Sequence, residues 1–423
     1  MPHGRIVLTL ASLALACIAL WNSLKPMPAG THVVALPARL AESSLTVLEA
    51  PAEILAHQLA AIDRAGQMIV LDELPISRPV GQRLLLAMRR RPNLKVVVVA
   101  DRLDEASGGT PREYLSALEQ AGVIVARVEL DRLRDPMPLY SALWRLCLGW
   151  WSDPFEEMPG GVRAALRRWN GKRDHRELMV ADDGSGGWVS LLPAAPQGDL
   201  ALEVAGGPAR DIAASELEIA AWSAGDDRLP RPPSAVGPGV GSIDARFLTE
   251  GAIRGALLEE FGAAAAGDEI SVSTSALSER ALVRAALGAA ARGARLAVLL
   301  DPQPASNRAV AAELTGEGSG RITLRWRMAH PDSADASQVL VRRRGELWAT
   351  VSAAPLSRAA LADLNLEAAV ELRLPERAAA ARALADHFAA AWIAAAPFTR
   401  AAQESRAAYW RYRLLEAAGI GEL

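Results

Sequence analysis

Apolar positions along the chain fall into short continuous runs separated by stretches with helical spacing, and the order of these runs occurs twice. Residues 55–65 read as a helix, 68–71 as a strand, 80–91 as a helix and 94–100 as a fully apolar strand ending at Asp101. The same order returns as a helix over 252–266, a strand over 269–274, a helix over 278–292 and a strand over 294–300 ending at Asp301. A third strand follows in each copy, over 123–128 and 321–327, and Ala65-Gly66 and Ala266-Gly267 precede the matching short strands. Apolar strands alternating with helices predict an α/β protein of two homologous lobes, each a mainly parallel mixed sheet flanked by helices. The first lobe covers residues 25–224, a Pro/Gly-rich linker covers 225–241, and the second lobe covers 242–423. The second lobe closes on an amphipathic helix over 399–417 that carries Tyr409, Trp410 and Tyr412.

The chain opens differently. Ile6 to Leu24 holds no charged residue and lies between Arg5 and Lys25, so as a helix it is roughly 28 Å long, close to one bilayer core. The expectation is a transmembrane anchor over residues 1–24 with Trp21 at the interface and the remainder periplasmic or otherwise extracytoplasmic. Alternatives are a signal peptide cleaved after Ala14-Leu15-Ala16 and a lipid-modified Cys17. Lys25-Pro-Met-Pro-Ala-Gly30 then reads as a connector.

Composition narrows the function. In 423 residues, 46 Lys and Arg stand against 49 Asp and Glu, a formal net charge of −3, so the basic surplus of a nucleic-acid-binding domain is missing and no nucleic acid partner is expected. Cys17 and Cys147 lie in apolar stretches and imply neither a disulfide framework nor a metal cluster. No glycine-rich phosphate loop and no His/Cys group at metal spacing occurs, so no cofactor and no metal is expected.

The candidate chemistry lies in Lys172 to Asp183, which reads K-R-D-H-R-E-L-M-V-A-D-D. His175, Glu177 and Asp182 flank an apolar run over 178–181 that reads as a buried strand. Trp188 follows His175 by thirteen residues and Trp348 follows Asp335 by thirteen. Each copy continues through an Ala-Pro pair, a strand (200–204 and 366–374) and an Ala-rich helix closing at Trp222 or Trp392. That register places Asp335 where the first copy has His175, Ser337 where it has Glu177, and Arg342 where it has Asp182. His175 reads either as a nucleophile or as a structural histidine paired with Asp182 or with backbone, and His330 stands near the second copy of the motif.

This stretch resembles the signature of the phospholipase D superfamily, His-x-Lys-x-x-x-x-Asp, which that family carries twice per active site. His175 and Asp182 stand at the family's His and Asp, and Glu177 stands at its Lys. Leu133-Arg-Asp-Pro-Met-Pro-Leu-Tyr-Ser141 with Trp144-Arg145 is similar to a segment of a membrane-anchored bacterial, cardiolipin synthase-like branch. So are Asn307 to Leu314, Arg325-Trp326 and Leu364-Asn-Leu-Glu367.

The resemblance implies phosphodiester hydrolysis or phosphatidyl transfer. One His attacks phosphorus, the other protonates the leaving oxygen, and Lys with Asn or Ser holds the phosphoryl oxygens. It assigns catalytic roles to His175 and Asp182, and Glu367 matches a carboxylate near the family's site. Glu177, Asp335, Ser337 and Arg342 are departures from the signature, and Pro193 and Pro355 stand where the family has Asn. A Glu in place of a Lys opposes phosphate by up to about 4 kcal/mol at a separation of about 4 Å and an effective dielectric of about 20.

The expectation is a membrane-anchored phospholipase D-like pseudoenzyme, catalytically impaired, that binds phospholipid or another phosphodiester or serves as a scaffold. An active phosphodiesterase or transphosphatidylase using His175 is the first alternative. A subunit that completes its site with a partner chain is the second.

Overall fold

The computed structural model describes residues 2–72, 75–101, 112–135, 137–143, 171–195, 197–225, 229–230, 239–327, 336–399 and 410. The first strands in chain order are β1 Ala38–Leu40, β2 Leu45–Leu48, β3 Met68–Asp72, β4 Lys95–Ala100, β5 Ile124–Arg127, β6 Leu178–Asp182, β7 Trp188–Leu192 and β8 Ala201–Ala205. They are followed by β9 Ile243–Thr249, β10 Glu269–Thr274, β11 Arg295–Leu300, β12 Ile322–Trp326, β13 Ser337–Arg343, β14 Glu346–Ser352, β15 Ala368–Pro375 and β16 Ala396–Pro397.

Two sheets result. One runs β2-β8-β7-β6-β3-β4-β5 and the other β1-β9-β15-β14-β13-β10-β11-β12-β16. Adding seven to every label of the first order gives the central run of the second, so the duplication seen in the hydrophobic pattern is a duplication of topology. Helices recur in step: Pro51–Arg64 with Gly251–Ala263, Arg78–Arg90 with Arg280–Ala291, Arg112–Gln120 with Ala305–Glu317, and Gly207–Ala224 with Ala379–Ala394.

Pairing fixes the internal register. Ile69 pairs with Val96 and Ala181, and Ile270 pairs with Leu296 and Val341. Asp182 therefore corresponds to Arg342, Glu177 to Ser337, and His175 to Asp335. The tryptophan spacing that suggested the same answer is a coincidence. Asp182 faces Trp188 across the first hairpin, whereas Arg342 faces Leu347 and Val341 faces Trp348. The first turn is one residue longer, so Trp348 corresponds to Val189, and by the two-residue strand period the two indoles point to opposite faces. Trp348 is buried and donates its indole N–H to Glu371 at 3.0 Å, while Trp188 is only partly buried.

Three expectations are corrected. The sheets are mainly antiparallel, not mainly parallel: only β3-β4-β5 and β10-β11-β12 run parallel, and the other described pairs are antiparallel. The physical reason is connection length. β6-β7 and β13-β14 are joined by short turns that cannot return a chain to parallel register.

Residues 34–40, assigned by chain order to the first lobe, pair instead with the second sheet. β1 adds to β9, Val34 bridges Leu248, and Ala35 donates its N–H to the Phe247 carbonyl at 3.0 Å. Finally, the helix Pro2–Leu24 forms, but among the described residues no helix is long and apolar enough to cross a membrane. Its last turn is committed to the protein: Ala19 and Asn22 are buried, the Asn22 carbonyl accepts the Asp135 N–H, and Lys25 Nζ donates to the Asp131 carbonyl. Ile6, Leu10, Leu13, Leu20, Trp21 and Leu24 remain exposed.

The two sheets share one core. Leu178, Leu192 and Leu202 from the first sheet cluster with Phe247, Leu340 and Leu372 from the second, and with Ile212 and Leu384 from the helices on them. Burying this surface jointly holds the halves together and brings the mouth of β6 against the segment leading into β15. The expected C-terminal helix over 399–417, apart from Thr399 and Trp410, lies outside the described residues, as do Trp144, Cys147, Trp150, Trp151 and most of the linker.

Candidate functional site

The residues before β6 form a short ladder with the other half. Asp174 bridges Leu366 in parallel, the His175 N–H donates to the Leu366 carbonyl at 2.9 Å, and the Leu366 N–H donates to the Arg173 carbonyl at 2.9 Å. Asn365 Oδ1 accepts the Arg173 N–H at 3.1 Å. This ladder sets His175 Nδ1 3.1 Å from Glu367 Oε1. Glu367 is fully buried and the His175 side chain is 32% exposed, so the pair has a closed back and an open front. An imidazole held by a carboxylate at Nδ1 presents Nε2 as its reactive nitrogen, the arrangement a nucleophile or general base needs.

Beneath this pair lies Arg176, with no exposed side-chain surface. Its Nη1 donates to Ser215 Oγ and to Glu216 Oε1, both at 2.7 Å, and its Nη2 donates to the Gly30 carbonyl at 2.9 Å and to Glu250 Oε1 at 2.7 Å. Glu250 Oε1 also accepts the Glu367 N–H at 3.1 Å, so one carboxylate ties the buried guanidinium to the residue that orients His175. Burial lowers the Arg176 pKa, but Glu250, Glu216 and Asp72 outweigh it and hold the side chain firmly cationic.

Asp72 and Asp174 complete this floor, both fully buried. Burial pushes Asp72 well above the ordinary carboxyl range, helped by Asp174 and Glu216 and opposed by Arg176. Burial likewise raises Asp174 against the pull of Arg176, with Glu216 and Asp101 adding to the rise. The floor thus sets Asp72, Asp174, Glu216 and Glu250 around the guanidinium of Arg176, with Glu367 tied to it through Glu250.

Backbone strain gathers at the same place. Glu177 sits at φ 43°, Glu250 at φ 44° and ψ −123°, His32 at φ 51° and Asp363 at φ 61°. Such conformations cost on the order of 1–3 kcal/mol each for non-glycine residues. The repeat supplies the control, because Ala50, the cap of the matching helix, rests at φ −144° and ψ 143°. Starting that helix does not require the strain seen at Glu250.

The sequence-derived residues divide. His175 and Glu367 are brought into contact across the two halves. Asp182 is not beside His175: it lies at the far end of β6, where it accepts the N–H groups of Gly66, Gln67, Met68 and Gly184 at 2.7–2.9 Å and pins the start of β3. Glu177 is half-buried between buried Arg176 and Leu178, its backbone at φ 43°, and its N-terminal neighbours lead directly from His175 into β6. Ser337 is buried and exchanges a hydrogen bond with Thr274 Oγ1 at 2.9 Å, away from any open surface. Arg342 lies at a strand end, 3.9 Å from Glu269. Asp335 and His330 lie outside the described residues.

Other groups escaped sequence reasoning. Strand pairing makes Asp199 the counterpart of Glu367, and its Oδ1 accepts the N–H of Ala336, the neighbour of Asp335, at 3.2 Å. His387 Nε2 lies 3.7 Å from Asp199 Oδ2. Burial pushes the Asp199 carboxyl up, but the His387 hydrogen bond and charge, the Ala336 N–H and Arg327 together hold it below the usual carboxylate range. His32, Asp363 and Arg134 form a further group: His32 Nδ1 lies 2.7 Å from Asp363 Oδ1, and Arg134 Nη1 donates to Asp363 Oδ2 at 2.8 Å. Its one signal in the sequence was the Leu133-Arg-Asp segment; Asp135 of the same segment pairs with buried Lys172, three residues before His175.

No protein-family model matches this sequence, and no curated protein matches it. Solved structures do. A phosphatidylserine synthase of Haemophilus influenzae Rd KW20 superposes with a TM-score of 0.61 at 11% identity, over 92% of this chain and 97% of that one. A polyphosphate kinase of Porphyromonas gingivalis covers 93% of this chain at 12% identity with a TM-score of 0.49. The phospholipase D family member Nuc of Salmonella typhimurium covers 36% of this chain at 17% identity with a TM-score of 0.31. At these identities the likeness is one of fold alone: this chain shares the two-sheet α/β architecture of the phosphatidylserine synthase over nearly its whole length.

Proposed function

We propose that this chain is a membrane-associated protein of the phosphodiesterase and phosphatidyl-transfer type, catalytically impaired, in which His175 with Glu367 carries what chemistry remains. The observation that carries the reading is the His175–Glu367 contact itself, one imidazole oriented by a buried carboxylate at the junction of the two halves. A second motif of ordinary form is missing, because Asp335 and Ser337 replace its His and Lys.

Impairment follows from charge. Arg176, the cation next to His175 in the chain, is spent on Glu216 and Glu250 inside the core and does not reach a phosphate in front of the imidazole. Glu177, two residues after His175 and at the position of the signature's Lys, adds repulsion. Lacking a family-type cradle of lysines, the cleft binds an anionic ester weakly, and binding or scaffolding is the function left if turnover is absent. The exposed apolar residues of the Pro2–Leu24 helix, from Ile6 to Leu24, are the surface through which it associates with lipid.

The test is turnover of a phospholipid and of bis(4-nitrophenyl) phosphate by the full chain and by His175→Ala. Slow hydrolysis or transfer that disappears in the variant supports the reading. Lipid binding without turnover leaves the scaffold function, and turnover retained in His175→Ala rejects the assignment.

A further inference from the structure

Glu250 stands at the turn from β9 into the helix Gly251–Ala263 and has no exposed surface. Its N–H donates to the Glu367 carbonyl at 3.2 Å, and its Oε1 accepts the Glu367 N–H at 3.1 Å. One residue thus grips both peptide groups flanking the Glu367 Cα and fixes the direction in which that side chain leaves the backbone. The side chain ends at His175, with Oε1 3.1 Å from Nδ1, and Asn365 Nδ2 donates to the same oxygen at 3.4 Å. The N-terminal strap holds Glu250 from its other side: Oε2 accepts the His32 N–H at 2.6 Å, and the neighbouring Thr249 N–H donates to the Val33 carbonyl at 3.1 Å.

Two comparisons within the chain show what this arrangement is for. The first is with the repeat. Ala50, the counterpart of Glu250, is unstrained and carries no carboxylate, and the side chain of Asp199, the counterpart of Glu367, is 37% exposed where that of Glu367 is fully buried. The strained turn at Glu250, φ 44° and ψ −123°, occurs only behind the motif that keeps its imidazole, and such strain persists where surrounding contacts over-determine it. The second comparison is with Glu216. It meets Arg176 at 2.7 Å and is fully buried, just as Glu250 is, yet the Glu367 N–H and carbonyl both go to Glu250. Compensating Arg176 therefore accounts for Glu216 and leaves half of the Glu250 contacts over.

We propose that Glu250 is a positioning residue for the His175–Glu367 pair. By clamping the Glu367 backbone it keeps Glu367 Oε1 on His175 Nδ1, so that Nδ1 carries the ring proton and the Nε2 lone pair is left free. The inference rests on the reading of His175 as the reacting residue and adds to it a buried carboxylate that acts only through Glu367. Shape alone does not meet the need. A Gln at this position offers one acceptor oxygen, so whichever way its amide turns, N–H groups face either the His32 N–H or the Glu367 N–H and Arg176.

The tautomer of His175 separates positioning from mere stability. The full chain, labelled with nitrogen-15 at histidine, is compared by NMR at alkaline pH with Glu250→Gln and Glu216→Gln, and the His175 signals are assigned by their loss in His175→Ala. The expected result is a parent ring protonated at Nδ1, a ratio of Nδ1–H to Nε2–H forms that falls about fivefold in Glu250→Gln, the worth of one hydrogen bond, and a ratio unchanged in Glu216→Gln. Should Glu250→Gln not fold, Glu250→Asp, which keeps the charge but loses reach to the Glu367 N–H, is expected to show the same fall. An unchanged ratio in the Glu250 variant, or equal falls in the Glu250 and Glu216 variants, overturns the positioning role and leaves the reading of His175 standing. The expected fall in a chain that turns over no phosphodiester supports the positioning role and removes the phosphodiester reading.

Discussion

Replacing Arg176 by Leu tests the buried floor on which both the fold and the candidate site depend. Arg176 has no exposed side-chain surface and meets Glu216 and Glu250, each at 2.7 Å. Each attraction is worth about 4 kcal/mol at a charge separation of about 4 Å and an effective dielectric of about 20, and much of that is offset by stripping water from the ions. Removing one member leaves the other charges buried without compensation, which destabilises by roughly 3–5 kcal/mol. Arg176→Leu is therefore expected to unfold at a temperature roughly 5–10 °C lower, at about 2 °C or more per kcal/mol. Calorimetry on the full chain checks the value. The triple variant Arg176→Leu, Glu216→Leu, Glu250→Leu removes all three charges and is expected to recover most of the loss while leaving the Glu367 N–H without its acceptor. A single variant within about 1 kcal/mol of the parent would refute the claim that this guanidinium compensates buried carboxylates.

Other outcomes follow from the same geometry. Asp72 and Asp174 have folded-state pKa values raised above the unfolded value, so their contribution to stability is fullest below about pH 4 and is lost as pH rises through the folded values. Asp72→Asn is expected to raise the unfolding temperature at pH 8 and to have much less effect near pH 4; a larger gain at the acidic end contradicts the burial argument. Glu177→Lys replaces an anion by a cation two residues from His175 and is expected to raise kcat/KM for an anionic diester by about 10- to 1000-fold, read in a steady-state assay. Gly251→Ala drives a methyl group into Asp363 and His32, and a loss of roughly 1–3 kcal/mol by denaturant titration is expected.

Much of this architecture was legible in the sequence because local pattern and topology agree. Apolar runs at Met68 to Leu71 and Glu269 to Thr274, each entered from an Ala-Gly pair, marked equivalent strands, and the observed pairing carries that equivalence through to His175 and Asp335. The matched tryptophans were a false support for a true register, since one extra turn residue shifts Trp348 to the other face. Strand direction was misread because apolar runs bounded by helices look parallel, whereas the short turns beside Trp188 and Glu346 dictate hairpins. Glu367 could be found only through its resemblance to a known pattern.

The Arg176–Glu216–Glu250 floor could not be found at all, because its members are separated by 40 and 74 residues and no periodicity links them. His32 was hidden for the same reason. Chain order placed it in the first lobe, and only the pairing of residues 33–40 with β9 brings it to Glu250.

The account rests most directly on whether His175 takes up a phosphoryl group. The measurement is acid-sensitive phosphorylation of the full chain after brief incubation with bis(4-nitrophenyl) phosphate, read by mass spectrometry without acid quenching and repeated with His175→Ala and Glu367→Gln. The expected result is a monoester adduct on His175 that is absent from His175→Ala and strongly reduced in Glu367→Gln. An adduct on another residue, or ester hydrolysis that continues undiminished in His175→Ala, would contradict it.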